Sequence, residues 1–298
     1  MAANLKEVRE RISSVNNTQQ ITKAMKMVSA AKLRKAQQAI QQMRPYADKL
    51  NDMLRNILSN LQGESFSSFS KERAVEKVCL VVVTSNRGLC GAFNNNVSKA
   101  AAQLVEGRYA EQYNSGNLHM LNIGKKGYDY FRKRYPSIQF HTEHLLLFDD
   151  LNYETIGAVS QGLMDAFAAE EFDRVEVAYG QFKNAAVQYP ITVQFLPVEK
   201  MEVEEGTTQM KADYIFEPSM EGLLENLVPS ILQTQFQKFV LDTHASEHGA
   251  RMTAMDSATE NANELLKELK ISYNKARQEA ITKEILEIVG GAAALESE

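Results

Sequence analysis

Apolar positions in the first sixty residues recur at alternating three- and four-residue steps. Leu5, Val8, Ile12 and Val15 begin the series, and Ala36, Ala39, Met43, Tyr46, Leu50, Met53 and Ile57 resume it. This is the heptad spacing of helices that wrap around one another. The stretch holds no glycine and one proline, Pro45, a residue that kinks or interrupts a helix. The last eighty residues repeat the pattern through Met255, Ala258, Ala262, Leu265, Leu269, Ser272 and Ala276, followed by Ile281, Ile285 and Ile288. Two long helices are predicted, over residues 1–60 and 212–298. At ~1.5 Å per residue they run to ~85 Å and well beyond, against ~30 Å for a small domain. Neither fits inside a core of its own, so the two are expected to pair antiparallel, the longer one overhanging the start of the first. Its tip, ILEIVGGAAAL at 285–295, is apolar, and an exposed apolar patch of that size calls for a sheath supplied by another protein. Residues 16–22 are mostly polar, so the surface facing them must change character there.

The middle of the chain has a different period. Residues 77–84, KVCLVVVT, form the continuous β-branched run of a strand buried on both faces. A turn, SNRGLCG, leads into a predicted helix over 93–105. Strands are expected at 118–123, 138–141, 175–179 and 191–198, the last two paired, with helices at 125–135 and 152–172. Alternation of strand and helix predicts a Rossmann-like α/β domain over 74–200, beside an antiparallel two-helix coiled coil. Long loops are expected at 62–73 and 199–211.

Composition narrows the class. Hydrophobic residues make up 44% and charged residues 24%, values of a globular chain. No run approaches the ~18 apolar residues of a membrane span. The opening MAANLKEVRERI lacks a signal core, so a cytoplasmic location is expected, with any work at a membrane done through partners. The net charge of -5 conceals an asymmetry. Residues 1–60 carry 11 Lys and Arg against 4 Asp and Glu, whereas residues 219–298 carry 7 against 13. Residues 12–47 contain no acid at all but hold Lys23, Lys26, Lys32, Arg34, Lys35 and Arg44. A one-signed helical run fits an acidic protein surface. Nucleic acid is disfavoured, because the chain is net acidic and no aromatics interleave with the basic run.

Three motifs bear on chemistry. Residues 85–91, SNRGLCG, lie between strand and helix, where α/β folds bind phosphate. They match neither phosphate-binding glycine pattern, and a glycine-permitted tight turn is the expectation. Cys79 and Cys90 read as reduced, partly buried thiols rather than nucleophiles or metal ligands. His244, Glu247 and His248 match the H-x-x-E-H spacing of inverted zinc peptidases. That reading needs a third ligand and a cleft. On a long coiled-coil helix the expectation is instead solvated polar residues on an exposed face. No catalytic, cofactor or metal site is expected.

Residues 16–35, NNTQQITKAMKMVSAAKLRK, and residues 246–262 and 273–294, SEHGARMTAMDSATENA and YNKARQEAITKEILEIVGGAAA, resemble the end helices of gamma subunits of F-type ATP synthases. TSNRGLCGAFN at 84–94 resembles that family's strand-turn-helix. The resemblance implies a bacterial-type rotor shaft, itself non-catalytic, that couples proton flow through a membrane c ring to ATP synthesis and hydrolysis in an alpha/beta ring. It implies alpha, beta, epsilon and c-ring subunits as partners. By the same resemblance Lys23, Met25, Lys26, Lys32 and Arg34 meet the acidic loops of beta, and Arg277, Gln278 and Thr282 engage beta higher in the ring. Tyr214, Phe216 and Glu217 form a foot toward the c ring and epsilon. The implied place is the cytoplasmic face of the bacterial inner membrane, as a peripheral subunit. A non-rotary coiled-coil adaptor and the zinc peptidase are the alternatives.

Overall fold

The computed structural model describes residues 5–60, 68–198 and 220–296. The expected foot residues Tyr214, Phe216 and Glu217 and most of the two expected loops lie outside them. The chain divides into two compact units, one made of residues 1–29 with 252–298 and the other of residues 30–251. Helix α1 (Leu5–Asn60) and the last helix (Met220–Glu296) each contribute to both.

The larger unit is a three-layer α/β/α sandwich. Strands β1 (Val78–Val83), β2 (Leu118–Ile123), β3 (Gln139–His141), β4 (Arg174–Phe182) and β5 (Gln188–Leu196) form one sheet in the order β3-β2-β1-β4-β5. The first four are parallel and β5 is an antiparallel edge strand on β4, so the expected pairing of the last two strands holds. Every side chain of β1 is buried, because alternate residues feed two cores. Val78, Leu80 and Val82 face α2 (Phe93–Glu106) and α4 (Lys125–Arg134) across a core that includes Val97, Ala101 and Phe131. Cys79, Val81 and Val83 face α5 (Tyr153–Ala168) and residues 227–240 of the last helix, through Ile156, Phe167, Phe236 and Phe239. A short helix, α3 (Ala110–Asn114), precedes β2. The last helix is therefore α6. Asn152 caps α5 by accepting the Thr155 amide at 2.7 Å, which accounts for that helix starting one residue after an otherwise extended loop.

The smaller unit is the antiparallel helix pair that the heptads predict. Arg9 donates to the Tyr273 hydroxyl at 2.9 Å, Thr22 and Thr259 share a hydrogen bond of 2.8 Å, and Gln19 is bonded to Asn263. Partner numbers fall as those of α1 rise, which fixes the antiparallel register. The α1 seam runs Leu5, Val8, Ile12, Val15, Gln19, Thr22, Lys26 and Ser29, all at least partly buried. Its second half is polar, and so is the surface opposite, through Asn263, Thr259 and Asp256. On α6 the seam differs from the expected one at alternate steps. Leu266 and Tyr273 turn inward, whereas Leu265 and Ser272 are exposed. The shared positions Met255, Ala262, Leu269 and Ala276 admit two phases, and the structure takes the one that brings Tyr273 to Arg9. Tyr46, placed on the α1 seam by the same spacing, is 53% exposed.

Candidate functional site

Arg277, Gln278 and Thr282 lie on α6 past Tyr273, and all three are exposed. Around and beyond them no described residue of this unit covers the apolar side chains. Ile281, Ile285, Leu286, Ile288 and Val289 are all exposed, Ile288 to 71%. A helix turns by 100° per residue, so positions 281, 285, 286, 288 and 289 fall within about 160° of its circumference, with Lys283, Glu284 and Glu287 on the opposite side. The tip thus bears one broad apolar face with charges behind it, a surface that calls for a covering partner.

The basic run of α1 divides in its surroundings. Lys23 is exposed, whereas Lys26 is engaged, its ammonium 2.5 Å from the Asp256 carboxylate. Met25 is half-buried, and three apolar neighbours point outward instead: Ile21, Met27 and Val28, each near 60% exposed. Farther along α1, in the larger unit, Lys32 and Arg34 are exposed. Apolar and cationic groups are therefore interleaved on the outward surface of α1, the composition of a protein-binding face.

The H-x-x-E-H segment is not where the heptads put it. Glu247 and His248 are 6% and 5% exposed, so the expectation of solvated residues on an open face is wrong. The reason is local packing. Around these residues α6 is a buried helix that is also seated against the sheet, with residues 239–243 and 245–249 all buried. Ser246 donates to the Gly180 carbonyl at 3.0 Å, and the Gly180 amide donates to the Thr243 hydroxyl at 3.3 Å. Gly180 is required on β4, since a Cβ there would lie 2.4 Å from the Phe93 ring. Glu247 accepts a charge-assisted bond from Arg251, whose other nitrogen donates to the carbonyls of Arg87 and Gly88 at 3.1 Å each. Sequence reading treated SNRGLCG and SEHGAR as separate. The structure makes them one assembly, in which the buried arginine clamps the turn.

This assembly also occupies the part of the α/β layout where ligands ordinarily enter. Ligands of open α/β sheets enter at the strand ends where the winding order reverses, here beside β1 and β4. That crevice is filled by α6. Cys90, behind the turn, is 1% exposed, and burial pushes its thiol up. Cys79 is equally buried and is pushed up to about 12, so neither is an activated nucleophile. His244 and His248 approach at 3.1 Å between Nε2 atoms. Burial first, then the charges of Lys32, Arg251 and Lys35, lowers His244 to about 4. Burial, His244, Arg251 and Lys32 lower His248 to about 3. Both stay neutral at pH 7. Among the described residues no three His, Cys, Asp or Glu side chains are grouped to hold a metal. Glu247, the base of the peptidase reading, is committed to Arg251.

Residues 4–295 match the protein-family model described as ATP synthase. The ATP synthase gamma chain of Cytophaga hutchinsonii is 52% identical over 294 residues, covering 98% of both chains. That of Flavobacterium johnsoniae is 51% identical over 293 residues, covering 98% of this chain and 99% of its own. Among solved structures, a chain of the Euglena gracilis mitochondrial ATP synthase (OSCP/F1/c-ring, rotational state 3) has a TM-score of 0.62 at 20% identity, covering 98% of this chain and 95% of that one. A chain of the Tetrahymena thermophila mitochondrial ATP synthase central stalk and c-ring has a TM-score of 0.57 at 22% identity, covering 80% and 99%. These two likenesses bear on the fold.

Proposed function

This chain belongs to the family of ATP synthase gamma chains, and on that premise we propose that it is the central rotor shaft of an F-type ATP synthase, a subunit that couples without catalysing. The observation that carries the reading is the bare apolar tip of α6 beyond its last pairing with α1. A helix with so broad an apolar face left bare calls for a partner to cover it, and a ring of alpha and beta subunits would supply one.

A single shaft cannot present the same face to each member of a threefold ring. Each catalytic subunit therefore meets different contacts, and differential contact is what shifts a conformational equilibrium. Lys23, Met25, Lys26, Lys32 and Arg34 are assigned to the acidic loops of beta, and Arg277, Gln278 and Thr282 to a beta contact higher in the ring. Tyr214, Phe216 and Glu217 are assigned to the foot on epsilon and the c ring. Residues 1–60 and 212–298 serve as the shaft and residues 74–200 as the domain around which the foot is built. No described helix is long and apolar enough to cross a membrane, which agrees with peripheral attachment through the c ring. The cytoplasmic face of a bacterial inner membrane is the proposed location. Proton flow through the membrane sector supplies the torque.

The test compares two variants in assembled complexes. Lys26 is already paired within the chain, so the belt is best reversed at Lys23, Lys32 and Arg34. Exposed pairs contribute only ~0–1 kcal/mol each and are screened by salt. Reversal to Glu should lower ATP turnover modestly, and less at high ionic strength. Arg277→Ala removes a cation that the ring would desolvate, at a cost of about 3–5 kcal/mol, and should impair turnover and assembly more. A belt reversal that is both worse than Arg277→Ala and insensitive to salt overturns this assignment of contacts.

A further inference from the structure

A cavity of about 570 Å³ opens in the larger unit between α1, the β4–β5 edge of the sheet and α6. Its size is that of a small-molecule site. Phe182, Val193, Phe195 and Ile231 give it apolar walls, and Arg44 and Lys238 line it as exposed cations. Asp242 also lines it, and Asp242 is only 6% exposed. No hydrogen bond or ion pair reaches its carboxylate from any described residue. Thr234, the other buried polar side chain of the lining, is satisfied by the Ser230 carbonyl at 2.8 Å. A buried carboxylate without a partner is unfavourable, and native chains seldom keep one that nothing engages.

We propose that this cavity is a binding site for a small amphipathic ligand whose ammonium group pairs with Asp242 while its apolar body lies against Phe182, Val193, Phe195 and Ile231. The site is independent of the rotor contacts. It lies on the sheet's edge, away from the crevice that α6 fills, and needs no residue of the belt or the tip. A neutral apolar ligand leaves the carboxylate unpaired, and an anion places like charges together in a low-dielectric pocket. An ammonium relieves the buried charge. Arg44 and Lys238 are solvated and screened, so they oppose a cation weakly. The titration behaviour of Asp242 agrees. Burial lifts it to about 6, and Lys238 on its own helix and Arg44 on α1 offset only part of that. Tyr179 on β4 faces it in turn and is pushed up, by burial first and then by Asp242.

Phenethylamine is the probe, titrated into the full chain at pH 7.5 while the methyl signals of Ile231, Val193 and Met43 are followed by NMR. Saturable shifts confined to the cavity are expected, with a midpoint at least tenfold lower than that of phenethyl alcohol, which has the same ring and no charge. Asp242→Asn should erase that tenfold preference. Ile231→Trp, which fills the cavity and leaves Asp242 in place, should abolish the shifts for both probes. The proposal is overturned by an absence of cavity shifts with the parent chain, or by equal midpoints for the amine and the alcohol. It is also overturned if 3-phenylpropionate binds as tightly as the amine, since Arg44 and Lys238 would then be selecting an anion.

Discussion

Arg251 ties α6 to the turn after β1 with a single side chain. It is 7% exposed, it neutralises Glu247, and it occupies two backbone carbonyls of the 84–94 turn. Arg251→Ala leaves a buried carboxylate and two carbonyls without their donor. A loss of about 3–5 kcal/mol is expected, read as a lower urea midpoint of the full chain. Arg251→Lys should recover only part of it, because one ammonium cannot span the forked arrangement. Asp242 behaves oppositely. Its folded-state value of about 6 lies above the ordinary 3.8, so the fold binds this proton more tightly than the unfolded chain does. The stability it contributes is complete below ~4 and is lost as the pH rises through 6. Asp242→Asn should therefore stabilise the chain at pH 7.5 by about 3 kcal/mol. The advantage should shrink toward zero as the pH falls from 6 to 4, and thermal melts across that range would show it. Both side chains were illegible in the sequence for the same reason. Their partners, or the lack of them, are set by residues some 160 positions away for Arg251, and no local pattern reports such contacts.

The elements were more legible, because their periods are local. The fully buried β1, the strands β4 and β5 and the two end helices all follow from hydrophobic spacing, and the structure has each of them. What the spacing left open was rotational phase. Leu265 and Leu266 are both apolar, so three-four counting serves either seam equally. The choice falls to polar contacts that bind α1 to α6, such as Arg9 to Tyr273. The coiled coil was also expected to take in 239–249, although there the helix packs on the sheet as well. A denser apolar run, FVL at 239–241, marks that change. Lys26 and Asp256 belong to the polar half of the seam and are 40% and 47% exposed. Reversal to Lys26→Glu sets two acids against each other and should lower the helical melting temperature slightly, within ~1 kcal/mol. The exchange Lys26→Glu with Asp256→Lys should restore it. A double variant no better than the single one would show that the pair does not set the register.

For the molecule taken whole, the surface that remains unpaired decides how it behaves alone. The tip exposes Ile281, Ile285, Leu286, Ile288 and Val289, and α1 exposes Ile21, Met27 and Val28. Purified without its partners, the chain should self-associate through these patches. Ile285→Asp with Ile288→Asp should restore a monomer at the same concentration in sedimentation velocity, with helix content unchanged. Oligomers that survive this double change would place the sticky surface elsewhere. The filled crevice has a mechanical side. Thr243 and Ser246 hold opposite ends of the Gly180 peptide, and one turn later Arg251 grips the loop after β1. These anchors lie at different azimuths of α6, so the helix is keyed to the sheet in the way a splined axle is keyed to its hub. It cannot roll about its own axis by even a few tens of degrees without shearing all three. A twisting load on this segment is thus delivered to the sheet as a rigid couple, and slippage would begin at the polar seam of the helix pair rather than here.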